Sequence, residues 1–159
     1  MIGVDIDFRR LSVYALAELR ERFDLVLFLG VLYHLRHPLL ALDLIHAHVA
    51  RDLLVVQCLL RGAERVVPVA ENYPCWERGA FEEPGFPAAY FVERSYAGDP
   101  TNWRIPNRAG AQAMLRSAGF ELLAHPEEEV FVCRRLAGVA EGAGARAAPP
   151  LGWAREPPP

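Results

Sequence analysis

The sequence predicts an α/β domain built on an open sheet with parallel strands. Two runs of apolar residues, 25–29 and 52–60, lack polar alternation, which is typical of strands buried on both faces. Between them, Pro38 suits the first turn of a helix, and apolar residues recur at helical spacing at Leu39, Leu42, Ile45 and Val49. This strand–helix–strand order predicts a right-handed parallel crossover, with ligands bound beyond the carboxyl ends of the strands.

The totals fit one globular domain. The chain has 159 residues, 52% of them hydrophobic, which suffices for a core. The net charge of −3 gives no electrostatic footprint for nucleic acid, and the three cysteines lack the spacing of a disulfide framework or a zinc site. We expect a cytoplasmic protein that is not in the membrane, because the sequence has no signal peptide and no apolar run near the roughly 18 residues of a span.

The first half of the chain predicts two further elements before the central strand. Residues 2–8 have the composition of a strand, and residues 9–19 that of a loop with a helical turn. The central strand follows, and the helix after it extends from about Pro38 to Ala50. The second buried strand then occupies residues 52–60.

Residues 61–106 form a segment of different composition, rich in proline, glycine and aromatic residues. A long segment with little regular structure is typical of a functional lid or binding loop, and a cover that protects the sheet is the equally favoured alternative. In either case the aromatic side chains should hold the segment in place: Tyr73, Trp76, Phe81, Phe86, Tyr90, Phe91, Tyr96 and Trp103.

The last third predicts a helix and two strands. Asn107 is a good N-cap, Ala111, Met114, Leu115 and Ala118 should face the core, and Gly119 suits the position after the helix. Strands are expected at 120–124 and 129–134, joined by a tight link at 125–127. From residue 136 to 159 the chain is mainly Ala, Gly, Pro and Arg, which predicts a disordered tail.

Two blocks of sequence resemble a known family. FDLVLFLGVLYHLRHPLLALD at 23–43 is similar to the fourth strand and following loop of the tRNA wobble-uridine (5-oxyacetyl and methoxy uridine) methyltransferases and carboxymethyltransferases. TNWRIPNRAGAQAMLRSAGF at 101–120 resembles that family's late helix and next strand. The NYP, GFP, YAGDPTNW and PNRA stretches resemble an uncharacterised group of bacterial methyltransferases still more closely.

The resemblance implies a class I S-adenosylmethionine-dependent methyltransferase with a Rossmann-like sheet. The resemblance extends over about residues 3–135. It implies a partial methyltransferase domain at 1–135, in which residues 61–106 are an insertion. The implied cofactor is S-adenosylmethionine, and the acceptor is an unidentified small molecule or RNA. The resemblance implies these cofactor-binding residues: Leu29, Gly30 and Tyr33 for the methionine part, and Ser12 and Val13 for the adenine edge.

Three other residues are candidates from their positions. His34 lies just past the central strand, where it can act as a general base or simply form a structural hydrogen bond. Arg104 and Arg108 flank the start of the late helix, where they can clamp an anionic substrate or remain solvated. His46 and His48 point to different faces of a helix, so the sequence predicts no metal site.

The chain departs from the family at its beginning. The family's sheet order is 3-2-1-4-5-7-6, and a glycine-rich turn after the first strand grips the nucleotide. Here the match starts after that turn, which predicts an N-terminally truncated sheet lacking its first one or two strands. The only G-x-G, Gly142–Gly144, lies in the tail with no strand before it.

The truncation leaves several alternatives open. If residues 2–8 end the second strand, Asp5 or Asp7 is the acid that holds the ribose; we favour the third strand, in which case that acid is missing. A second copy or a partner chain can complete the sheet. The chain then either binds cofactor as an enzyme or is a non-catalytic remnant or interaction module.

Overall fold

The computed structural model describes residues 3 and 5–138, which form a mixed α/β domain. Its strands are β1 Phe23–Leu29, β2 Ala50–Gln57, β3 Ala89–Phe91, β4 Arg104–Pro106, β5 Phe120–Glu127 and β6 Val130–Arg135. Four of them form the main sheet, in the order β1-β2-β6-β5, while β3 and β4 pair separately. The mixed α/β class predicted from the sequence is therefore confirmed.

The first two strands of the main sheet form the predicted parallel pair. β1 lies beside β2 with Leu27 opposite Val55. The helix between them, α1 Pro38–Leu44, starts at the predicted proline and continues into a π-helical turn, Ile45–Val49. β2 ends earlier than predicted because the next residue leaves the ladder with β1: the Cys58 N–H donates to the Glu129 carbonyl at 2.9 Å.

The late helix, α3 Arg108–Ser117, begins and ends as predicted. The Asn107 side chain accepts a hydrogen bond from the Gly110 N–H at 2.7 Å, and Gly119 has a φ of 86°. β5 and β6 then pair in antiparallel fashion. The link predicted at 125–127 is wrong, because β5 continues through Pro126 and the turn lies at residues 128–129. Pro126 is tolerated there because β5 is an edge strand.

The segment 61–106 contains more regular structure than the sequence predicts. It includes a short helix, α2 Gly79–Glu82, and the β3–β4 hairpin, in which Phe91 lies opposite Arg104. Aromatic rings hold it together as expected: the ring centroids of Phe81 and Phe86 are 4.9 Å apart, and Tyr73 packs against both. Its role as lid or cover stays a prediction.

The core lies on one face of the main sheet, which we call the covered face. Its side chains pack against α1, the π-helical turn and α3. The strands contribute Phe28, Leu54, Val56, Phe131 and Cys133, and the helical layer contributes chiefly Leu42, Ile45, Ala111 and Leu115. These nine residues are all buried.

The opposite face of β1 corrects one expectation. The strand was predicted to be buried on both faces, yet Leu25, Leu27 and Leu29 are 51–61% exposed. With the half-buried Leu53 and Val55 of β2 they form what we call the open face. The prediction is wrong because burial on both faces requires a second helical layer, and residues 3 and 5–138 supply only one.

The expected strand at residues 2–8 is a second correction. Residues 5–8 form no strand; Ile6 and Phe8 are exposed, and Asp7 pairs instead with Arg9 at 2.6 Å. Within the described ranges β1 pairs only with β2, so this segment has no neighbouring strand and no ladder to join. The 3-10 helix Val13–Leu19 after it fits the predicted helical turn.

Two expectations concern the ends of the chain and the membrane. The predicted tail lies outside the described residues from 139 onward. In the part of the chain that the structure describes, no helix has the length and apolar character needed to cross a bilayer.

Candidate functional site

The candidate site lies where β1 and β2 end side by side. Gly30 follows β1 with a φ of 70°, a left-handed conformation that glycine adopts without strain. Its N–H donates to the Gln57 carbonyl at 3.1 Å. A Cβ atom at position 30 would lie 3.6 Å from both the Gln57 Oε1 and the Tyr33 hydroxyl. Gly30 is thus half-buried, and two polar atoms border the space where a side chain would be.

A carboxylate from the turn before β6 organises the end of β2. Glu129 accepts hydrogen bonds from Gln57 Nε2 at 3.1 Å and from the Leu60 N–H at 3.2 Å. Its Oε1 is 3.4 Å from Arg61 Nη1. These contacts hold the Gln57 amide beside Gly30. Glu129 and Gln57 are not among the sequence-predicted site residues, because no local pattern indicates that these two residues, 72 positions apart, come into contact.

Tyr33 lies in a 3-10 helix, Leu32–His34, just after β1. Burial raises the pKa of its hydroxyl above the ordinary value of 10.0, and the nearby Cys58, Glu129 and Asp99 raise it further. The hydroxyl therefore stays protonated at neutral pH and can donate a hydrogen bond. Cys58 is itself buried, which raises its pKa to about 12, so this thiol is a poor nucleophile.

His34 is oriented by a chain of hydrogen bonds that the sequence alone does not reveal. The Thr101 hydroxyl donates to Asp99 Oδ1 at 2.6 Å, so its oxygen accepts from His34 Nδ1 at 2.9 Å. These bonds from Thr101 lower the pKa of Asp99 and keep its carboxylate charged. Nδ1 therefore carries the proton in neutral His34, and Nε2 is the unprotonated nitrogen that can accept one.

Asp99 and Thr101 belong to the YAGDPTNW stretch, and they lie more than sixty residues from His34 in sequence. The Asp-Pro-Thr order does signal a turn, since an aspartate side chain readily accepts from the backbone two residues later. The Thr101 N–H indeed donates to Asp99 Oδ1 at 2.7 Å. The turn was predictable from the sequence; the contact with His34 depends on the tertiary fold.

Ser12 and Val13 lie at the start of the 3-10 helix Val13–Leu19, which precedes β1. Ser12 caps the 3-10 helix by accepting from the Tyr14 N–H at 3.3 Å, and Val13 is half-buried against the core. The Tyr14 hydroxyl accepts from the His37 N–H at 3.1 Å, which joins this turn to the start of α1. The adenine role of Ser12 and Val13 stays a prediction.

The two candidate arginines do not line the same cavity. Arg104 lines a groove of about 320 Å³ together with Arg36 and Trp103. Arg108 lines a separate cavity of about 240 Å³ beside Arg61 and Glu64. The structure therefore gives no support to a clamp made by both, since Arg104 lies in β4 and Arg108 opens α3 after the intervening bend at Asn107.

His46 and His48 have separate surroundings. His46 is 1% exposed, and its Nε2 donates to the Leu136 carbonyl at 3.0 Å, while His48 is exposed. Over the described ranges, no group of three or more His, Cys, Asp or Glu side chains is placed to hold a metal ion.

Comparison with known proteins gives structural matches only. No protein-family model and no curated protein matches the chain. The crystal structure of the N-terminal domain of EvdMO1 in the presence of SAH and D-fucose is 22% identical, with a TM-score of 0.46 over 80% of this chain. The same domain with SAH bound is 23% identical, with a TM-score of 0.45 over 79% of this chain. The chain spans about half the length of these two structures, 52% and 50%.

Proposed function

We propose that this chain is part of a class I S-adenosylmethionine-dependent methyltransferase with a Rossmann-like sheet. The observation that carries the proposal is the strand order β1-β2-β6-β5. It corresponds strand for strand to 4-5-7-6, the second half of the family's order 3-2-1-4-5-7-6. The FDLVLFLGVLYH block, which resembles the family's fourth strand, occupies β1 and the loop after it.

The residues at the end of β1 fit the methionine part of the cofactor. Gly30 has no side chain to cover its backbone, and the Tyr33 hydroxyl and the Gln57 amide oxygen both lie within 3.6 Å of where its Cβ would be. Leu29 lies beside Gly30, while Ser12 and Val13 are proposed for the adenine edge. When bound, S-adenosylmethionine supplies a methyl group already activated by its sulfonium. The protein then needs to align the acceptor and, for some acceptors, to remove a proton.

His34 is the proposed general base. Its Nδ1 donates to the Thr101 hydroxyl, which in turn donates to Asp99, and this fixes the tautomer in which Nε2 accepts the proton of a hydroxyl or amine acceptor. Its ring lies 4.3 Å from that of Tyr33, measured between centroids, so the base is next to the proposed cofactor residues. A base in this position is typically worth about 10²–10⁴-fold in rate.

The nucleotide half of the site needs additional polypeptide. Residues 3 and 5–138 include no glycine-rich turn after a strand. The free edge of β1 ends at Gly30, so a parallel strand added there would bring its own carboxyl end beside the proposed site. We propose that a partner segment carrying a strand, a glycine-rich turn and a helix completes the sheet along this edge.

Calorimetric titration with S-adenosylhomocysteine tests the proposal. For the chain alone we expect weak binding with one site per chain, because only the methionine half of the site is present. Tyr33→Phe should weaken it further by about three- to tenfold, because the lost hydroxyl lies beside Gly30. Tyr90→Phe, a matched change in the β3 strand, should leave the affinity within twofold. Absence of any heat change at millimolar ligand would rule out cofactor binding by this polypeptide.

The alternative function is a non-catalytic remnant or interaction module. The open face and the free β1 edge favour it, because exposed apolar surfaces of this kind mark contacts with other polypeptides. The same titration separates the two candidates. A chain that binds a partner but neither S-adenosylmethionine nor S-adenosylhomocysteine, even in the complex, fits only the interaction module.

A further inference from the structure

A groove beside the candidate site is lined by two arginines and two large aromatic side chains. It measures about 320 Å³, and we call it the arginine–aromatic groove; its walls are Arg36, Phe91, Val92, Glu93, Trp103 and Arg104. Cavities that bind small molecules typically measure about 300–1,000 Å³, so the groove suits a ligand of one ring.

Each arginine of the groove stacks on an aromatic ring. The Arg36 Cζ lies 4.1 Å from the centroid of the Trp103 ring, and the Arg104 Cζ lies 5.3 Å from that of Phe91. A guanidinium that lies with its face on a ring keeps the N–H donors at its edge available for an anion. Among residues 3 and 5–138, no acidic side chain lies within ion-pair distance of either guanidinium.

The walls of the groove are linked by hydrogen bonds and by short stretches of chain to the residues proposed for catalysis. The Trp103 N–H donates to the Tyr33 carbonyl at 3.0 Å, and Arg36 follows His34 by two positions. Thr101, which orients His34, precedes Trp103 by two positions. One segment, residues 99–104, therefore positions both the proposed base and the groove wall.

We propose that the arginine–aromatic groove binds a small planar anion, an aromatic ring that carries a carboxylate or a phosphate. Free guanidinium edges recognise such anions through paired N–H donors, and the aromatic walls accept the face of a ring. Glu93 in the wall opposes any anion, but the two arginines outnumber it and leave one positive charge in excess, which suits a small anion; the net charge of −3 disfavours a polyanion such as RNA. That the groove is the acceptor site rests on the proposed function; that it binds the anion does not.

Calorimetry without cofactor tests the groove directly. The probes are para-hydroxybenzoate, phenyl phosphate and the neutral para-hydroxybenzamide, and the two anions distinguish a carboxylate from a phosphate source. We expect at least one anion to bind at least tenfold more tightly than the amide. The double variant Arg36→Gln/Arg104→Gln should lose at least tenfold in affinity, whereas Arg36→Lys, which keeps the charge but not the planar fork, should lose less.

Arg94→Gln is the matched control, since Arg94 is exposed, lies next to Glu93 and is not part of the groove wall. It should change the affinity less than twofold, and circular dichroism should show all variants folded. Equal affinity for the amide, unchanged binding by the double variant, or no binding of either anion at ten-millimolar concentration overturns the proposal. The proposal is also overturned if an oligouridylate binds more tightly than either small anion and if Arg94→Gln weakens that binding as much as the double variant does. That result would indicate non-specific attraction of a polyanion.

S-adenosylhomocysteine titration of the same variants separates this inference from the proposed function. Anion binding without S-adenosylhomocysteine binding upholds the groove and rejects the cofactor site. S-adenosylhomocysteine binding with no anion binding does the reverse.

Discussion

The two faces of the main sheet carry similar side chains but differ in what packs against them. On the covered face, Phe28 of β1 is 8% exposed and packs against the helical layer, whereas its neighbours Leu27 and Leu29 on the open face are more than half exposed. β1 is thus apolar on both sides but buried on one. A strand of this composition is typical of sheets with helices on both faces, so its open face is suited to contact with further polypeptide.

The largest expected effect is on the covered face. Phe131 is fully buried in β6, and Phe131→Ala should destabilise the domain by about 3–5 kcal/mol through lost burial and the cavity left behind. Urea denaturation followed by circular dichroism measures the change. If that variant does not fold, Phe131→Leu should still cost about 1 kcal/mol. An unchanged midpoint for both would mean that this face is not the core.

A pH effect should also arise from the covered face. Burial lowers the pKa of His46 below its ordinary value of 6.5, with nearby Arg135 contributing, so folding favours the neutral ring. The unfolded chain binds the proton more readily, so the stability that neutral His46 contributes is present above about pH 6.5 and is lost as the pH falls below it. Urea denaturation from about pH 8 to 5.5 checks this.

His46→Gln should flatten that pH dependence, whereas His48→Gln, two positions along on the exposed side, should leave it unchanged. Asp43 acts in the opposite direction, because burial raises its pKa above 3.8 and the folded state therefore takes up that proton first as the pH falls. An identical slope in wild type and His46→Gln would exclude His46 as the cause.

Association should depend on the open face. Leu27→Lys places a charge in the middle of the exposed leucines, so we expect it to weaken concentration-dependent self-association, because charge on an exposed strand opposes apolar contact. Sedimentation velocity over a range of concentrations measures this. Leu39→Lys, at an exposed leucine of α1, is the control with the same charge change. Equal loss of association in both variants would point to net charge instead.

The smallest expected effect is that of Leu27→Ala. Because Leu27 is 61% exposed, its truncation should change the free energy of unfolding by no more than about 0.5 kcal/mol. Urea denaturation of the monomer measures it beside Phe131→Ala. A loss above 2 kcal/mol would show that another part of the protein covers this face in solution.

Much of the fold was predictable because its signals are local. The apolar runs, Pro38 at the start of α1, the Asn107 cap and Gly119 each act within a few residues. They place the strands, the start of α1 and both ends of α3 as the structure has them, although the burial of β1 on both faces was not correctly predicted. Residues 5–8 of the strand predicted at 2–8 form no strand, and the reason is non-local, since a strand forms only where a neighbour pairs with it. The boundary of β5 was missed because Pro126 is harmless on an edge strand.

The candidate site also has one part that local sequence predicts and another that depends on long-range contacts. Gly30, Tyr33 and His34 are contiguous with β1, so the sequence alone places them at a strand end. It also determines the order strand, helix, strand and the caps that limit the helices. Only the tertiary structure brings Glu129 to Gln57, Thr101 to His34 and Arg36 to Trp103. Those pairs are distant in sequence, and chain folding, not local propensity, decides which of them meet.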